Sequence, residues 1–557
     1  MKMAGVTNSP GLRHKTGNDT MKLEGICPLT TEAALERATA IAPYLEAIVA
    51  NDARLKFAEF GEEVARIRSA LAGSGVKHGD HVGLCLGSNA RFSTLFFAIG
   101  SLGAVVVPIN TRFRADEIAY VLKQARISWL FMADKLLTSN YVEMLRPICP
   151  QLDSGQRCEQ FPDLETITVI GDDVPEGALS WDEFIARAGV AVEARCQPED
   201  VLLIQYTSGS TSFPKGCLLT HRGMLANAFF AGGRVGFRTG DRYHSARPFF
   251  HVAGTVLSIL GAMQHVTTLV TMEKFEPGEA LRLLEEERCT HFSGNDTMVI
   301  MMLNHPDRAF RKLNLRGGWA SATPSVMKRL MDEFGARQVV TTYGLSEASP
   351  NVAISCWWEP EEIRAQSKVL PQPGVEVRIR NLETGAICAA NTAGEIQVRG
   401  WSVMLGYYDR PEETAKTIDP EGWLSTGDIG ILDENGRLQF VGRAKEILRV
   451  GGENVSPLEV EDILHRHPKV RFAQIAGVPD ERLVEVPAAF IILRDGEICD
   501  EQELIAWSKQ HMAGFKVPRY VRIISDFESI GMTGSGKVQR KQLAAYATEV
   551  LGLVATG

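Results

Sequence analysis

Apolar positions alternate between two periods over the first 350 residues. "FGEEVARIRSALAGSGV" (60–76) repeats at helical spacing and meets stop signals at Gly73 and Gly75, whereas "HVGLCLG" (81–87) is a short continuous apolar run. The alternation continues with "RADEIAYVLKQAR" as helix, "ISWLFMA" as strand, "VLLIQY" as strand, "GMLANAFFAGG" and "ALRLLEEERC" as helices and "QVVTTYG" as strand. Short buried strands separated by helices predict an α/β domain whose largely parallel sheet is covered on its faces. From about residue 367 the pattern changes to "GVEVRIRN", "GEIQVRG" and "GILDENGRLQFVGR", short strands broken by Gly and Asx turns, as in an antiparallel unit. After Lys445 strands and helices alternate again over about 110 residues, enough for an independent domain.

These patterns predict a large N-terminal α/β domain, 26–444, of covered β-sheets with helices plus a β-rich subdomain. A small α+β C-terminal domain, 445–557, follows. Residues 1–25 read as a flexible tail without the apolar core of a signal peptide, and Met21 is a second candidate start. The most apolar stretch, "LFFAIGSLGAVVVPIN" (95–110), is interrupted by Gly100, Gly103 and Pro108 and reads as a packed helix end followed by a buried strand, with no transmembrane segment.

The chain has 557 residues, 45% hydrophobic and 23% charged, which requires more than one core. Its net charge of -9 argues against a general nucleic-acid partner. Ten cysteines are scattered singly with no CxxC, the usage of a reducing cytoplasm.

Candidate chemistry begins at "YTSGSTSFPKG" (206–216). Glycine lets a backbone approach a phosphate, small hydroxyls donate, and Lys215 supplies a cation; a strand before and a helix after would aim a helix N-terminus at the anion. An ordinary Gly/Ser surface turn has the same composition. It is not a Walker A loop, because Lys215 precedes Gly216. "GMTGSGKV" (531–538) comes nearer, but Val538 replaces the hydroxyl that would hold Mg²⁺. "YGLSEA" falls short of a nucleophile elbow at Ala348.

Six motifs stand in one order: "YTSGSTSFPKG" (206–216), "TTYGLSE" (341–347), "GEIQVRG" (394–400), "WLSTGDIG" (423–430), "GRAKEILRVGGENVSPLEVE" (442–461) and "GSGKVQRKQL" (534–543). Together they resemble the adenylate-forming enzymes, from about residue 50 to 545, and within them the acyl-CoA synthetase branch. The resemblance implies a two-step reaction. A carboxylate attacks the α-phosphate of MgATP to give acyl-adenylate and pyrophosphate, and coenzyme A then takes the acyl group and releases AMP. It implies that Thr207, Ser208, Gly209, Ser210, Thr211 and Lys215 cradle the β- and γ-phosphates. Thr342, Tyr343 and Gly344 meet the adenine, and Ser346 touches the α-phosphate. Glu347, with Thr207, holds Mg²⁺, and Asp428 and Arg443 take the ribose hydroxyls. Lys537 stabilises the charge that builds as two anions meet, Lys445 is the hinge of a rotating C-terminal domain, and Gly451 and Gly452 leave room for a pantetheine arm. Each has a plainer reading: Asp428 as a turn cap, Arg443 as a surface ion pair, Tyr343 as core, the glycine pair as a β-turn. The lysine loop lacks the Pro and basic residue common in relatives.

"RPFFHVAG" (247–254) lies where relatives line the acyl pocket, with Ser293, Gly294 and Ala320 to Thr323, including Ser321 and Ala322, on other walls. His251 stands where amino-acid-activating relatives carry an Asp, which argues against an α-amino acid; it is either a carboxylate gate or wall packing. The implied partners are a small carboxylic acid, ATP and CoA, with a homodimer left open. The overall texture is similar to medium-chain fatty-acid and crotonobetaine/carnitine CoA ligases, while an aromatic or alicyclic acid is equally defensible. The alternatives are transfer to a carrier protein or amine, and an inactive adenylate-binding protein.

Overall fold

The computed structural model describes residues 21–207, 214–480, 482–532 and 537–553. Within them a thirteen-stranded sheet carries the larger part of the chain. Edged by the antiparallel strand Arg54–Lys56, its parallel part runs through Glu46–Val49, Thr268–Thr271, Arg242–Ser245, His291–Asn295, Gly317–Ser321 and Gln338–Gly344. It continues without a break into the antiparallel strands Asn351–Ile354, Lys368–Pro371, Leu438–Arg443, Leu424–Leu432, Ala393–Gly400 and Val375–Arg380. The β-rich segment expected as a subdomain therefore shares one hydrogen-bonded sheet with the α/β part.

A second sheet is ordered Lys215–Thr220, Val201–Thr207, Val105–Pro108, His81–Cys85, Trp129–Ala133, Thr166–Ile170 and Leu179–Ser180. Asn89 caps the helix Ala90–Ser101 by accepting from the Phe92 N–H, and every residue from Phe92 to Ser101 is buried. Burial on all sides explains why this segment is apolar all round. Among the described residues no helix is long and apolar enough to cross a membrane. Leu23 is 1% exposed and packs with Cys27, Leu29 and Ala226, so the expected flexible tail is already anchored from Met21 onward.

One expectation fails locally. The phosphate-loop candidate is followed by a strand, not by a helix. Lys215–Thr220 pairs antiparallel with Val201–Thr207, Thr207 opposite Lys215, and the helix His221–Val235 starts only after this strand, capped by the Thr220 hydroxyl. "KGCLLT" is too short and apolar for its period to tell helix from strand; the hairpin partner decides it.

The last sheet, Glu453–Val455, Leu448–Val450, Val484–Leu493 and Val470–Asp480 with Tyr520–Ile523 on Val484–Leu493, is flanked by the helices Pro457–His465 and Arg540–Val550. Polar contacts join it to the rest: the Ser325 N–H donates to Asp462 Oδ1 (3.1 Å) and the Arg494 guanidinium to Asn304 Oδ1 (3.2 Å).

Candidate active site

The parallel strands Arg242–Ser245, His291–Asn295, Gly317–Ser321 and Gln338–Gly344 end at the same edge, where α/β sheets bind ligands. Ser321 and Ala322 leave that edge, and the Ala322 carbonyl accepts from Ser367 Oγ (3.1 Å). The Thr342 hydroxyl is engaged within the sheet, donating to Asn351 Oδ1 (2.6 Å). Tyr343 is buried, with Phe440 stacked on its ring at 5.5 Å, and its hydroxyl donates to Asp428 Oδ2 (2.9 Å). Gly344 closes the strand, and Ser346 and Glu347 follow in a single 3-10 turn.

Asp428 sits opposite Arg443 in the strand pair, with Arg443 Nε 3.7 Å from Oδ1. Burial pushes the Asp428 carboxyl up to about 6, against the pull of Arg443 and the Tyr343 hydroxyl. The Arg443 side chain is mostly exposed.

Tyr407 links two of the expected residues. Its hydroxyl donates to Glu347 Oε1 (2.9 Å), and Lys215 Nζ lies 5.1 Å from its ring centroid. Lys215 also donates to Glu413 Oε2 (2.5 Å). Thr207 Oγ1 donates to the Lys215 carbonyl (3.4 Å), and the buried Cys217 thiol lies against both Thr207 and Glu347. A carboxylate and a hydroxyl gathered there are hard oxygen donors that suit Mg²⁺. Ser208, Gly209, Ser210 and Thr211 lie outside the described residues, as do residues 533–536 before Lys537.

Lys537 reaches this site from the last domain. Burial lowers its ammonium pKa, Arg247 and Arg443 lower it further, and Asp296 and Asp428 oppose them. Asp296 heads the helix Asp296–Leu303 and accepts from the Thr323 N–H (2.9 Å); burial raises its carboxyl to about 7, with Glu461 and Asp462 adding to the rise. Three residues beyond Lys537, Arg540 grips the buried Glu461 through both guanidinium nitrogens (2.7 and 3.0 Å) and the Ile475 carbonyl (2.9 Å). That bidentate anchor fixes the start of the helix behind the lysine.

His251 accepts from the Ala253 N–H at Nδ1 (3.2 Å), which leaves its proton on Nε2. Burial, with Lys537 and Arg247 close by, holds its pKa down to about 3. The ring is therefore neutral at physiological pH and offers a donor, not a general acid. Gly254 is required behind it, since a Cβ there would lie 2.2 Å from the Pro248 carbonyl oxygen.

The remaining residues are not gathered at this edge. Lys445 occupies the turn Arg443–Ile447, where the Glu446 and Ile447 N–H groups return to the Arg443 carbonyl. Gly451 and Gly452 form the exposed turn between Leu448–Val450 and Glu453–Val455, with φ of 59° and 92°, so the hairpin itself demands them. Tyr407, Glu413, Asp296, Phe440, Arg540 and Arg247 were not foreseen. Only Arg247 left a signal, a charge within the apolar run "SARPFFHVAG".

The chain belongs to the AMP-binding enzyme family, whose profile matches residues 35–408, and the AMP-binding enzyme C-terminal domain matches 459–537. It is similar to the mitochondrial medium-chain acyl-CoA ligase ACSF2 of Danio rerio, 31% identical over 545 residues, covering 94% of this chain and 89% of that one. The ACSF2 of Homo sapiens is also 31% identical, over 94% of this chain and 88% of its own. Among solved structures, the anthranilate CoA ligase AuaEII in complex with anthranoyl-AMP superposes with a TM-score of 0.85 at 27% identity, covering 96% of this chain and 100% of that one.

Proposed function

We propose that the protein is an ATP-dependent carboxylic acid–CoA ligase. The acid's oxygen attacks the α-phosphorus of ATP and the bond to pyrophosphate breaks; the CoA thiol then attacks the acyl carbon, its proton passes to solvent, and AMP leaves. The observation that carries this reading is Lys537, which comes from the last domain yet lies within electrostatic reach of Asp428, Asp296 and His251. A cation in a water-poor site stabilises charge developing on a phosphoryl group far better than one in water.

Asp428 and Arg443 orient the ribose, and Lys215 pairs with the departing pyrophosphate. Mg²⁺, held by Glu347 and Thr207, supplies charge neutralisation on the phosphates when bound. Neutral His251 donates from Nε2 to the entering carboxylate. Rotation about Lys445 exchanges Lys537 for the Gly451–Gly452 turn before the thiol step. The free state of all ten cysteines supports a reducing compartment such as the cytoplasm.

The test is a carboxylic-acid panel with ATP and CoA, read by AMP release and by ATP–pyrophosphate exchange. Exchange without CoA and AMP release with it are expected for some acid. Nucleotide binding without exchange across aliphatic, aryl and amino acids would refute the reading.

A further inference from the structure

Among the described residues, the acyl end of the site holds a buried charge with no acid beside it. Tyr243, Ser245, Ser293 and Trp319 share one face of the parallel sheet, Ser245 opposite Ser293 and Ser293 opposite Trp319. The chain leaves this face at Arg247, two residues past Ser245, at the strands' carboxyl ends. Arg247 is 5% exposed, and its guanidinium lies 4.6 Å from the centroid of the Trp319 ring. Its Nε and Nη2 are enclosed and make no hydrogen bond among the described residues. The ionisable groups that act on it at the site are the Lys537 ammonium and the neutral His251 ring, neither of them an acid.

Below the guanidinium the surface is polar. Ser293 Oγ donates to Ser245 Oγ (2.9 Å), Ser245 and Ser258 hydroxyls meet at 2.7 Å, and Trp319 Nε1 donates to the Tyr243 hydroxyl (2.7 Å). Ser258 reaches this layer from the π-helix Ala253–Leu260, in which its hydroxyl also donates to the Ala253 carbonyl (3.2 Å). Beyond it, Trp319 closes the way. The apolar crevice it lines with Ala228, Ala231, Val235, Phe237 and Leu257 has about 10 Å³ of free space, room for about one water molecule.

A fatty chain entering past Lys537 would lay methylenes on an unpaired guanidinium and a hydroxyl layer, then meet an indole. A buried arginine without an acid is costly to keep unless an anion is delivered to it, and its planar fork suits a carboxylate. We propose that the acid this enzyme activates is short and carries a second carboxylate, which Arg247 binds while the first is adenylated. This deepens the ligase reading and rests on it.

Matched pairs test it: propionate and malonate, butyrate and succinate, pentanoate and glutarate, benzoate and isophthalate, each assayed by ATP–pyrophosphate exchange and AMP release. In at least one pair kcat/KM for the diacid should exceed that for the monoacid by 100-fold or more. Arg247→Met should collapse that ratio to within a few-fold, mainly through the diacid's KM, and Arg247→Lys should restore part of it. A wild-type preference for the monoacid in every pair would overturn the proposal, and so would a ratio unchanged in Arg247→Met, which assigns the arginine to the reacting carboxylate. The wild-type preference needs no variant, so the proposal stays exposed if Arg247→Met misfolds. Absence of exchange and AMP release with every acid refutes the ligase reading itself.

Discussion

Asp428→Asn should make the ligand-free protein more stable, by an amount that depends on pH. The buried carboxyl titrates near 6 in the fold, against an ordinary value of 3.8. Between those values the folded chain holds a proton that the unfolded chain has released, so raising the pH favours unfolding. The full difference corresponds to about 3 kcal/mol, of which about 1.5 has accrued by pH 5 and nearly all by pH 7. Asparagine cannot ionise, and its carbonyl can still accept from the Tyr343 hydroxyl. The variant should gain about 3 kcal/mol at pH 7.5, a few degrees in thermal midpoint for a chain of this size, and about half as much at pH 5. Fixed-rate thermal scans of both proteins at pH 5.0, 6.0 and 7.5 measure it. The same change should raise KM for ATP about 10- to 100-fold, since one charge-assisted hydrogen bond to the ribose is lost. A less stable variant at pH 7.5, or an offset equal at pH 5.0 and 7.5, would refute the reasoning.

Lys537→Ala should slow adenylation by about 10³-fold, from roughly 4 kcal/mol for a unit pair at 4 Å and an effective dielectric near 20, while thioester formation from supplied acyl-AMP stays within a few-fold; equal loss of both steps contradicts domain rotation. Because burial and two arginines lower the Lys537 pKa, wild-type adenylation should fall on the alkaline side at lower pH than an ordinary lysine allows, and pH–rate profiles of the exchange reaction read this. Arg540→Ala strands a buried Glu461 and should cost about 3–5 kcal/mol in the last domain, seen as earlier proteolysis there and recovered in part by adding Glu461→Leu. Glu413→Gln frees Lys215 from a competing carboxylate and should lower KM for ATP two- to fivefold at low salt, with no difference at high salt.

Much of this architecture is legible along the chain. The helix Phe57–Gly73 and the strands His81–Cys85, Trp129–Ala133 and Gln338–Gly344 follow directly from apolar period and glycine stops. Glu347, Asp428, Arg443 and Lys537 were named through the family resemblance that the ordered motifs carry. Long-range pairing was not legible. Lys215 meets Glu413 198 positions away, and no local spacing announces it. Asp296 reads as a helix-starting acid, and only its burial beside Lys537 gives it a second meaning. Gly451 and Gly452 show the opposite limit, because a hairpin turn with positive φ at both positions and a turn that leaves room for a substrate arm share one sequence.

Lys537 enters a site that already contains Arg247 and Arg443. On the proposed rotation, closing the last domain without substrates would set Lys537 against two arginines, with Asp296 and Asp428 offsetting them only in part. An α-phosphate and an acid reverse the sign of that encounter. The free energy of that closure would then depend on what the site holds, and a lysine placed for chemistry would also read occupancy, favouring the open form when empty and the closed form when loaded.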